Sequence, residues 1–246
     1  MNKSDHHVKT QKTQVLSHDR WIMLATESVL IVVSILVAFF INAWWENHKI
    51  EEQRIQLLQT LLSDFEATSK SLDQAIEQEQ ALVSRSRTYR QVVRDGIAIP
   101  EDSLFYCFAA IGEGAFFQPT IASYKSAVAT GTIELVRSQP LINTLTDFDL
   151  ALDLYQLHLN IAGNLFYQGP VHQFRLAVGS MYGPGEPPGT PLRDLVPDNF
   201  NLRGRLAVAT MESMYFLQVN ILQNLTQMQE SVAKIIKEVD ESLVKS

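Results

Sequence analysis

The sequence is short of cysteine and of basic residues. It has one cysteine, Cys107, in 246 residues, so it can form neither an internal disulfide nor a thiolate metal site. The 20 Lys and Arg stand against 27 Asp and Glu, which gives a formal net charge of −7. A surface that binds the phosphate backbone of a nucleic acid needs clustered basic residues. We therefore expect no general nucleic-acid binding.

Familiar catalytic and nucleotide-binding motifs are also missing. The chain has no GxSxG turn, no HExxH, no Walker-type GxxxxGK[ST] and no GxGxxG after a strand pattern. Asp149, Asp153, His158 and His172 remain as candidates for acid–base chemistry. However, Asp153 and His158 lie about 140° apart around a helix. We expect no enzymatic activity, no cofactor and no metal site, and a hydrolase built on Asp153, His158 and His172 is the least favoured alternative.

A long apolar run, ESVLIVVSILVAFFINAWWE, occupies residues 27–46. Residues 28–45 carry no charge, and at about 1.5 Å per residue they reach about 27 Å, near the hydrocarbon thickness of a bilayer. A buried soluble helix is rarely apolar on all faces for five turns. A cleaved signal is disfavoured because no small-x-small site follows. We predict an uncleaved transmembrane helix at residues 21–45.

The predicted membrane anchor has polar and aromatic residues toward its ends. These are Trp21, Glu27, Asn42, Trp44 and Trp45. Tryptophan at both ends is typical of an interfacial aromatic belt, and the two polar residues lie off-centre, where they can reach headgroups or water. An asparagine inside a span also favours helix association, so we expect the bilayer and a second copy of the chain among the partners.

The basic residues on either side of the predicted transmembrane helix indicate its orientation in the membrane. Four precede the helix and two follow it within twenty residues: Lys3, Lys9, Lys12 and Arg20, then Lys49 and Arg54. This bias favours a cytoplasmic tail at residues 1–20 and an extracytoplasmic, periplasmic domain at residues 46–246. The expected location is the inner membrane of a bacterium.

The helix is predicted to continue beyond the membrane to about Arg94. No Gly or Pro occurs at residues 46–95, and apolar residues recur there at alternating spacings of three and four, which is a heptad-like pattern. These apolar positions are Leu58, Leu61, Phe65, Leu72, Ala75, Leu82, Tyr89 and Val93, with Thr68, Glu79 and Ser86 at the intervening steps. We call this set the α1 seam.

Glycine and proline divide the remainder into further helices. Residues 96–100 break the first helix, and a short aromatic helix is expected to end near Gly112. A helix closed by Gly131 in the left-handed conformation follows. The next begins after Ser138 as N-cap and is interrupted at residues 169–170.

The C-terminal part is predicted as a loop and a last long helix. Residues 180–201 form a Pro/Gly-rich loop, and the helix runs from Leu202 to Val244. Its apolar positions also alternate at four and three, and we call them the α6 seam: Ile221, Leu225, Met228, Val232, Ile235 and Val239. Matching seams favour pairing of the first and last long helices. The predicted fold class is all-α, an elongated helical bundle with coiled-coil character that follows a transmembrane helix.

Arginines near the end of the first long helix form a basic patch. Arg87, Arg90 and Arg94, with Arg85 nearby, could engage an anionic ligand or a partner protein. The alternative is a solvated helix surface. The aromatic residues 105–117 are interpreted as part of the core, with a ligand pocket as the alternative.

Two stretches resemble an uncharacterised bacterial family of short single-pass membrane proteins. The first, close to E-x-L-x-V-x-x-x-I-L-x-A-x-x-I-N-x-W-x-E, is carried by Glu27, Leu30, Val32, Ile35, Leu36, Ala38, Ile41, Asn42, Trp44 and Glu46. The second is carried by Ser123, Tyr124, Val128, Thr130 and Gly131, then Leu135, Val136 and Leu141. The resemblance covers about the first two thirds of the chain and implies an anchor with a helical ectodomain. It implies no activity.

These features favour a membrane-anchored helical protein that works by binding or scaffolding, with an unknown protein partner. An extracytoplasmic ligand sensor is the main alternative. Because a twenty-residue tail holds no output domain, such a sensor would act through a separate transducer.

Overall fold

The computed structural model describes residues 15–178 and 201–244. Within these ranges it contains six α-helices, two short 3₁₀ turns and no β-strand, which confirms the predicted all-α class. The helices are α1 Val15–Arg94, α2 Glu101–Ala109, α3 Ala122–Thr130, α4 Gln139–Tyr167, α5 Pro170–Val178 and α6 Arg205–Val244, and the 3₁₀ turns are Ala110–Gly112 and Thr132–Val136. Residues 1–14 of the predicted tail and residues 180–200 of the predicted loop lie outside the described residues.

The contacts divide the chain into two units, Met1–Arg54 and Ile55–Ser246. In the first unit, α1 contains an 18-residue window of mean hydropathy 2.5, and none of that window is buried. Among the described helices it is the one that is long and apolar enough to cross a membrane. It begins at Val15, before the predicted start of the span at Trp21. The exact domain boundaries stay a prediction.

The α1 seam is buried in the second unit. Phe65, at 0% exposure, is typical of its apolar members, and Thr68, Glu79 and Ser86 at the intervening positions are buried as well. Val93 is the one member that is only half-buried. The helix ends at Arg94 as expected.

Helix α6 packs antiparallel against α1, which confirms the predicted pairing. Three side-chain contacts fix the direction: Asp73 with Gln229 at 2.7 Å, Ser86 with Gln218 at 2.7 Å, and Arg90 with Glu212 at 2.6 Å. Residue numbers fall along α6 as they rise along α1. All six residues of the α6 seam are buried.

Helix α6 begins at Arg205, three residues later than predicted. Asn201 explains the delay, because its side-chain oxygen accepts from the backbone N–H of Arg203 at 2.9 Å and its carbonyl accepts from that of Gly204 at 2.9 Å. This Asx-type turn competes with the helix. Arg203 donates to the carbonyls of Val92 and Ile97 at 3.2 and 3.0 Å, so it caps the end of α1.

The helix ends that were predicted from glycine and serine residues are confirmed. Gly131 ends α3 with φ 75°, and Gly96 follows α1 with φ 65°, a region that L side chains avoid. Ser138 caps α4 through its hydroxyl, which accepts from the N–H of Leu141 at 3.4 Å. A Cβ at Gly169 would lie 2.9 Å from the Cα of Leu165, so this position between α4 and α5 requires glycine.

Residues 113–121, which we call the strap, connect the first 3₁₀ turn to α3 and lie against α1. Thr68 donates to the carbonyl of Thr120 at 2.9 Å and accepts from its N–H at 3.0 Å. Just beyond the strap, the carboxylate of Asp64 accepts from the N–H and the hydroxyl of Ser123 at 2.9 and 2.6 Å. Polar side chains on α1 therefore satisfy the backbone of a segment that has no regular structure.

The aromatic stretch packs mainly as core, as interpreted from the sequence. Phe105, Phe108 and Phe117 are buried, whereas Tyr106 and Phe116 are exposed. Phe108 contacts the rings of Tyr89 on α1 and Phe174 on α5, with centroids 5.2 and 4.9 Å apart. The stretch thus joins three helices.

Candidate functional site

A groove lies between the last turns of α1 and the first half of α6. We call it the arginine groove. Its lining residues are Arg87, Tyr89, Arg90, Gln91, Val93, Arg94, Val208, Glu212 and Tyr215. Its volume of about 510 Å³ falls within the range of small-ligand sites, about 300–1,000 Å³. The groove brings together all three arginines that the sequence singled out.

Arg90 is held at the centre of the arginine groove. Its Nε donates to Oε1 of Glu212 at 2.6 Å, and its guanidinium lies 4.1 Å from the ring centroid of Tyr215. The hydrogen bond with Glu212 raises the pKa of Arg90 further above its ordinary value. Contact with both a carboxylate and an aromatic face restricts the guanidinium and offsets its charge.

Arg87 and Arg94 flank Arg90 on the same face of α1. Arg94 forms a forked contact with its neighbour Asp95, at 2.8 and 3.2 Å, which raises the pKa of Arg94 and lowers that of Asp95. Arg87 is exposed, and none of the described residues forms an ion pair with it. Three guanidiniums therefore face two carboxylates, and a surplus of one positive charge remains.

Arg85 does not belong to this groove, although it lies close to Arg87 in sequence. Its guanidinium donates to the carbonyl of Tyr106 at 3.1 and 2.6 Å and to Glu113 at 2.8 Å, and it stacks over the Tyr106 ring at 4.1 Å. These contacts tie α2 and the start of the strap to α1. Two residues along a helix are about 200° apart, so Arg85 and Arg87 point to different sides.

A buried carboxyl group lies beneath the strap. Glu79 is 1% exposed, and burial raises the pKa of its carboxyl group to about 7 despite a hydrogen bond from the N–H of Ala115. That N–H donates to Oε2 at 3.2 Å, while Oε1 has no hydrogen-bond partner among the described residues. An unpaired buried carboxyl oxygen disfavours the ionised form.

Tyr155 on α4 completes this polar cluster. Its hydroxyl accepts from the N–H of Phe117 at 3.2 Å and donates to the carbonyl of Ala115 at 3.5 Å. Burial raises the pKa of Tyr155, and the nearby Glu79 adds to the shift. The cluster secures the strap between α1 and α4, and it is enclosed by protein.

The candidates for hydrolytic chemistry are not brought together. Asp149 forms an ion pair with Lys125, and Asp153 is exposed. His158 Nδ1 lies 2.7 Å from the side-chain nitrogen of Asn224, while His172 is on α5. Among the described residues, no three His, Cys, Asp or Glu side chains are placed to hold a metal ion.

The predicted anchor residues are all exposed in the first unit. They are Trp21, Glu27, Asn42, Trp44 and Trp45. The Trp44 ring stacks on His48 with centroids 5.9 Å apart and planes 3° from parallel. Contact of these residues with lipid headgroups stays a prediction.

Sequence reasoning missed the part of the groove that α6 contributes. Val208, Glu212 and Tyr215 precede the α6 seam, and no motif distinguishes them. The available signal was the antiparallel pairing itself, since it places the start of α6 beside the end of α1. Tyr155 was also missed, whereas Glu79 was visible as a charged residue within an apolar seam.

Comparison with protein families places the chain beside an uncharacterised family. Residues 27–173 match the model of a family of unknown function, DUF6090. This is more than half of the chain, so the chain belongs to that family, and the resemblance to an uncharacterised family is confirmed. The match includes the apolar run at residues 28–45 and the three arginines of α1 but ends before α6. No curated protein and no solved structure matches the chain.

Proposed function

We propose that this member of the family is a single-pass protein of a bacterial inner membrane whose helical bundle acts by binding. The arginine groove carries the proposal. It is a concave site of about 510 Å³ with a positive surplus, and its central guanidinium is already fixed. We assign it to an anionic group, either of a small ligand or of a partner protein.

The anionic preference follows from the state of the three guanidiniums. Arg90 is restricted by Glu212 and Tyr215, so it can shape the site with little further loss of entropy. Arg87 and Arg94 lie seven residues apart, about 10 Å along the helix. An extended anion can contact both while it passes Arg90. Hydrogen bonds to charged groups contribute about 1.5–3 kcal/mol each.

The groove can be tested with defined anions. Purified full-length protein in a neutral detergent is titrated with inorganic phosphate, citrate and a short polyphosphate, and thermal unfolding is followed. We expect stabilisation by at least one of these anions, with the apparent affinity reduced at least tenfold in Arg87→Ala/Arg94→Ala. The charge-matched control is Lys234→Ala/Lys237→Ala, since both lysines are exposed on α6. If both variants lost the same apparent affinity, the anions would bind through non-specific charge and not in the arginine groove.

The orientation in the membrane follows from the flanking bases. Four bases precede the apolar run and two follow it closely, and basic flanks stay in the cytoplasm. We propose a cytoplasmic tail and a periplasmic bundle. Protease added to spheroplasts should then digest the region after residue 46, and complete protection would reverse the orientation.

A further inference from the structure

The outward face of α4 carries an apolar stripe that nothing in the described part of the chain covers. The stripe consists of Leu150, Leu154, Leu157 and Ile161, which are 59%, 46%, 52% and 39% exposed. Their 4-3-4 spacing places them on one face of the helix. Core residues such as Phe148 and Tyr155 occupy the opposite side. A helix that is apolar on two sides is normally covered on both.

We infer that the α4 stripe packs against the α4 stripe of a second copy of this chain, in a parallel, in-register pair of helices. The spacing is that of a two-stranded coiled-coil seam, in which each residue of the stripe meets its own copy. The inference rests on the proposed membrane anchor, which keeps two copies in one membrane.

The charges beside the stripe fit a second copy. Residues 154–174 contain no Asp, Glu, Lys or Arg, so most of the face can meet itself without like-charge repulsion. Asn160 flanks the stripe with an uncharged amide, which can both donate to and accept from a neighbouring chain. Carboxylates and guanidiniums cannot do so.

Asp153 and His158 favour the parallel register. In a parallel pair, the residue just before one seam position lies beside the residue five places later in the neighbouring helix. Asp153 of one copy therefore lies beside His158 of the other. The Asn224 side-chain nitrogen can only donate, so Nδ1 of His158 accepts at 2.7 Å and the ring proton lies on Nε2. That N–H is available to the carboxylate, and Asp153 is exposed.

The area of the stripe indicates a weak contact. The four exposed fractions add up to about two whole apolar side chains per copy. This is below the roughly 800 Å² per partner that is usual in stable soluble complexes. Two copies tethered to one membrane meet at a high effective concentration, which compensates for a small interface.

Disulfide trapping in pelleted membranes tests the contact. The native Cys107 is 8% exposed, so the unsubstituted chain serves as background. Residues of a parallel seam approach their copies closely enough for a disulfide, about 5.5–6 Å between Cα atoms. With a mild oxidant, we expect Leu157→Cys to give at least five times more disulfide dimer than Gln156→Cys, which lies on the same helix 100° away.

Two further changes in the Leu157→Cys background sharpen the test. Leu154→Asp should lower the dimer fraction several-fold without shifting thermal unfolding, because Leu154 lies outside the core. Asp153→Lys should also lower it, whereas Asp240→Lys on an exposed part of α6 should not.

Three results would overturn the inference: equal trapping at residues 156 and 157, cross-linking of Leu157→Cys to a protein of different mass, or cross-linking of Leu154→Cys to Leu157→Cys without either linking to itself. The last result would indicate antiparallel helices. Recovery of the chain in the pellet separately tests the anchor, so the failure of one proposal is distinguishable from the failure of the other.

Discussion

The two parts of α1 use apolar residues in opposite ways. In the first unit, Phe40 is 75% exposed and none of the most apolar window is buried. In the second unit, Phe65 is 0% exposed and the apolar residues form one line. A helix that is apolar all round is covered either by a protein core or by lipid, whereas a helix with one apolar line packs that line against other helices. The two parts of α1 therefore differ in both the density and the arrangement of their apolar residues.

Charges placed in the apolar window should have the largest effect. Val33→Arg/Leu36→Arg opposes insertion by about 5–7 kcal/mol, which is comparable to the roughly 3–7 kcal/mol that the apolar residues contribute. We expect most of the variant to be extracted from membranes by alkaline carbonate. The control Gln56→Arg/Gln59→Arg changes exposed residues of the second unit and should remain membrane-bound. If both variants stay in the pellet, this part of α1 does not depend on lipid.

The same substitution in the two parts of α1 should give different results. Phe65→Ala removes a ring that packs edge-on against Phe148, with centroids 5.3 Å apart, and should lower the free energy of unfolding by about 3–5 kcal/mol. Phe40→Ala should change it by less than about 0.5 kcal/mol. Urea unfolding in detergent, followed by circular dichroism, measures both. Similar losses in the two variants would contradict the distinction.

Glu79, in the α1 seam, should make the free energy of unfolding depend on pH. Its carboxyl group has an ordinary pKa of 4.5 and a folded-state pKa of about 7. Between pH 4.5 and 7, the carboxyl group is therefore protonated in the folded state but largely ionised in the unfolded state. The free energy of unfolding should therefore fall by about 3 kcal/mol as the pH rises from about 4.5 to above 7.

Glu79→Gln removes this titration while it keeps an oxygen for the N–H of Ala115. We expect the variant to match the natural chain near pH 4.5 and to exceed it by about 3 kcal/mol at pH 8. Urea midpoints at pH 4.5, 6 and 8 measure this, with Glu77→Gln on the exposed face as control. Parallel pH profiles for Glu79→Gln and the natural chain would contradict the assignment.

Substitution of Gln218 should lower the free energy of unfolding by a smaller amount. Gln218 is buried on α6 beside Ser86 of the α1 seam. Its side chain accepts from Ser86 at 2.7 Å and donates to the carbonyl of Ala110 at 2.8 Å. Gln218→Ala leaves both groups unsatisfied and should lower the free energy of unfolding by about 2 kcal/mol. Asn220→Ala, at a partly exposed position on α6, should lower it by less than about 1 kcal/mol. Equal effects would show that the buried bridge adds nothing.

Much of the fold could be predicted because the decisive signals are local. Gly96, Gly131 and Ser138 act within one helical turn, and the end of α1 at Arg94 followed from the first glycine after the apolar run. The start of α6 was misplaced because Asn201 forms a turn through its own side chain, which a helix pattern does not reveal.

The candidate site was only half predictable because it depends on contacts between distant segments. Arg87, Arg90 and Arg94 were visible as one face of a helix, but Glu212 and Tyr215 enter the groove through the antiparallel register. The exclusion of Arg85 depends on its contacts with Tyr106 and Glu113. Similarly, periodicity showed that α4 is apolar but not which of its faces would be left uncovered.

Sedimentation of the full-length protein determines whether α1 holds the chain in a membrane. Cells that produce the chain are lysed without detergent, the lysate is centrifuged at high speed, and the pellet is washed with alkaline carbonate. We expect the protein to stay in the washed pellet and to be released only by detergent. Recovery of the natural chain in the first supernatant would contradict this expectation.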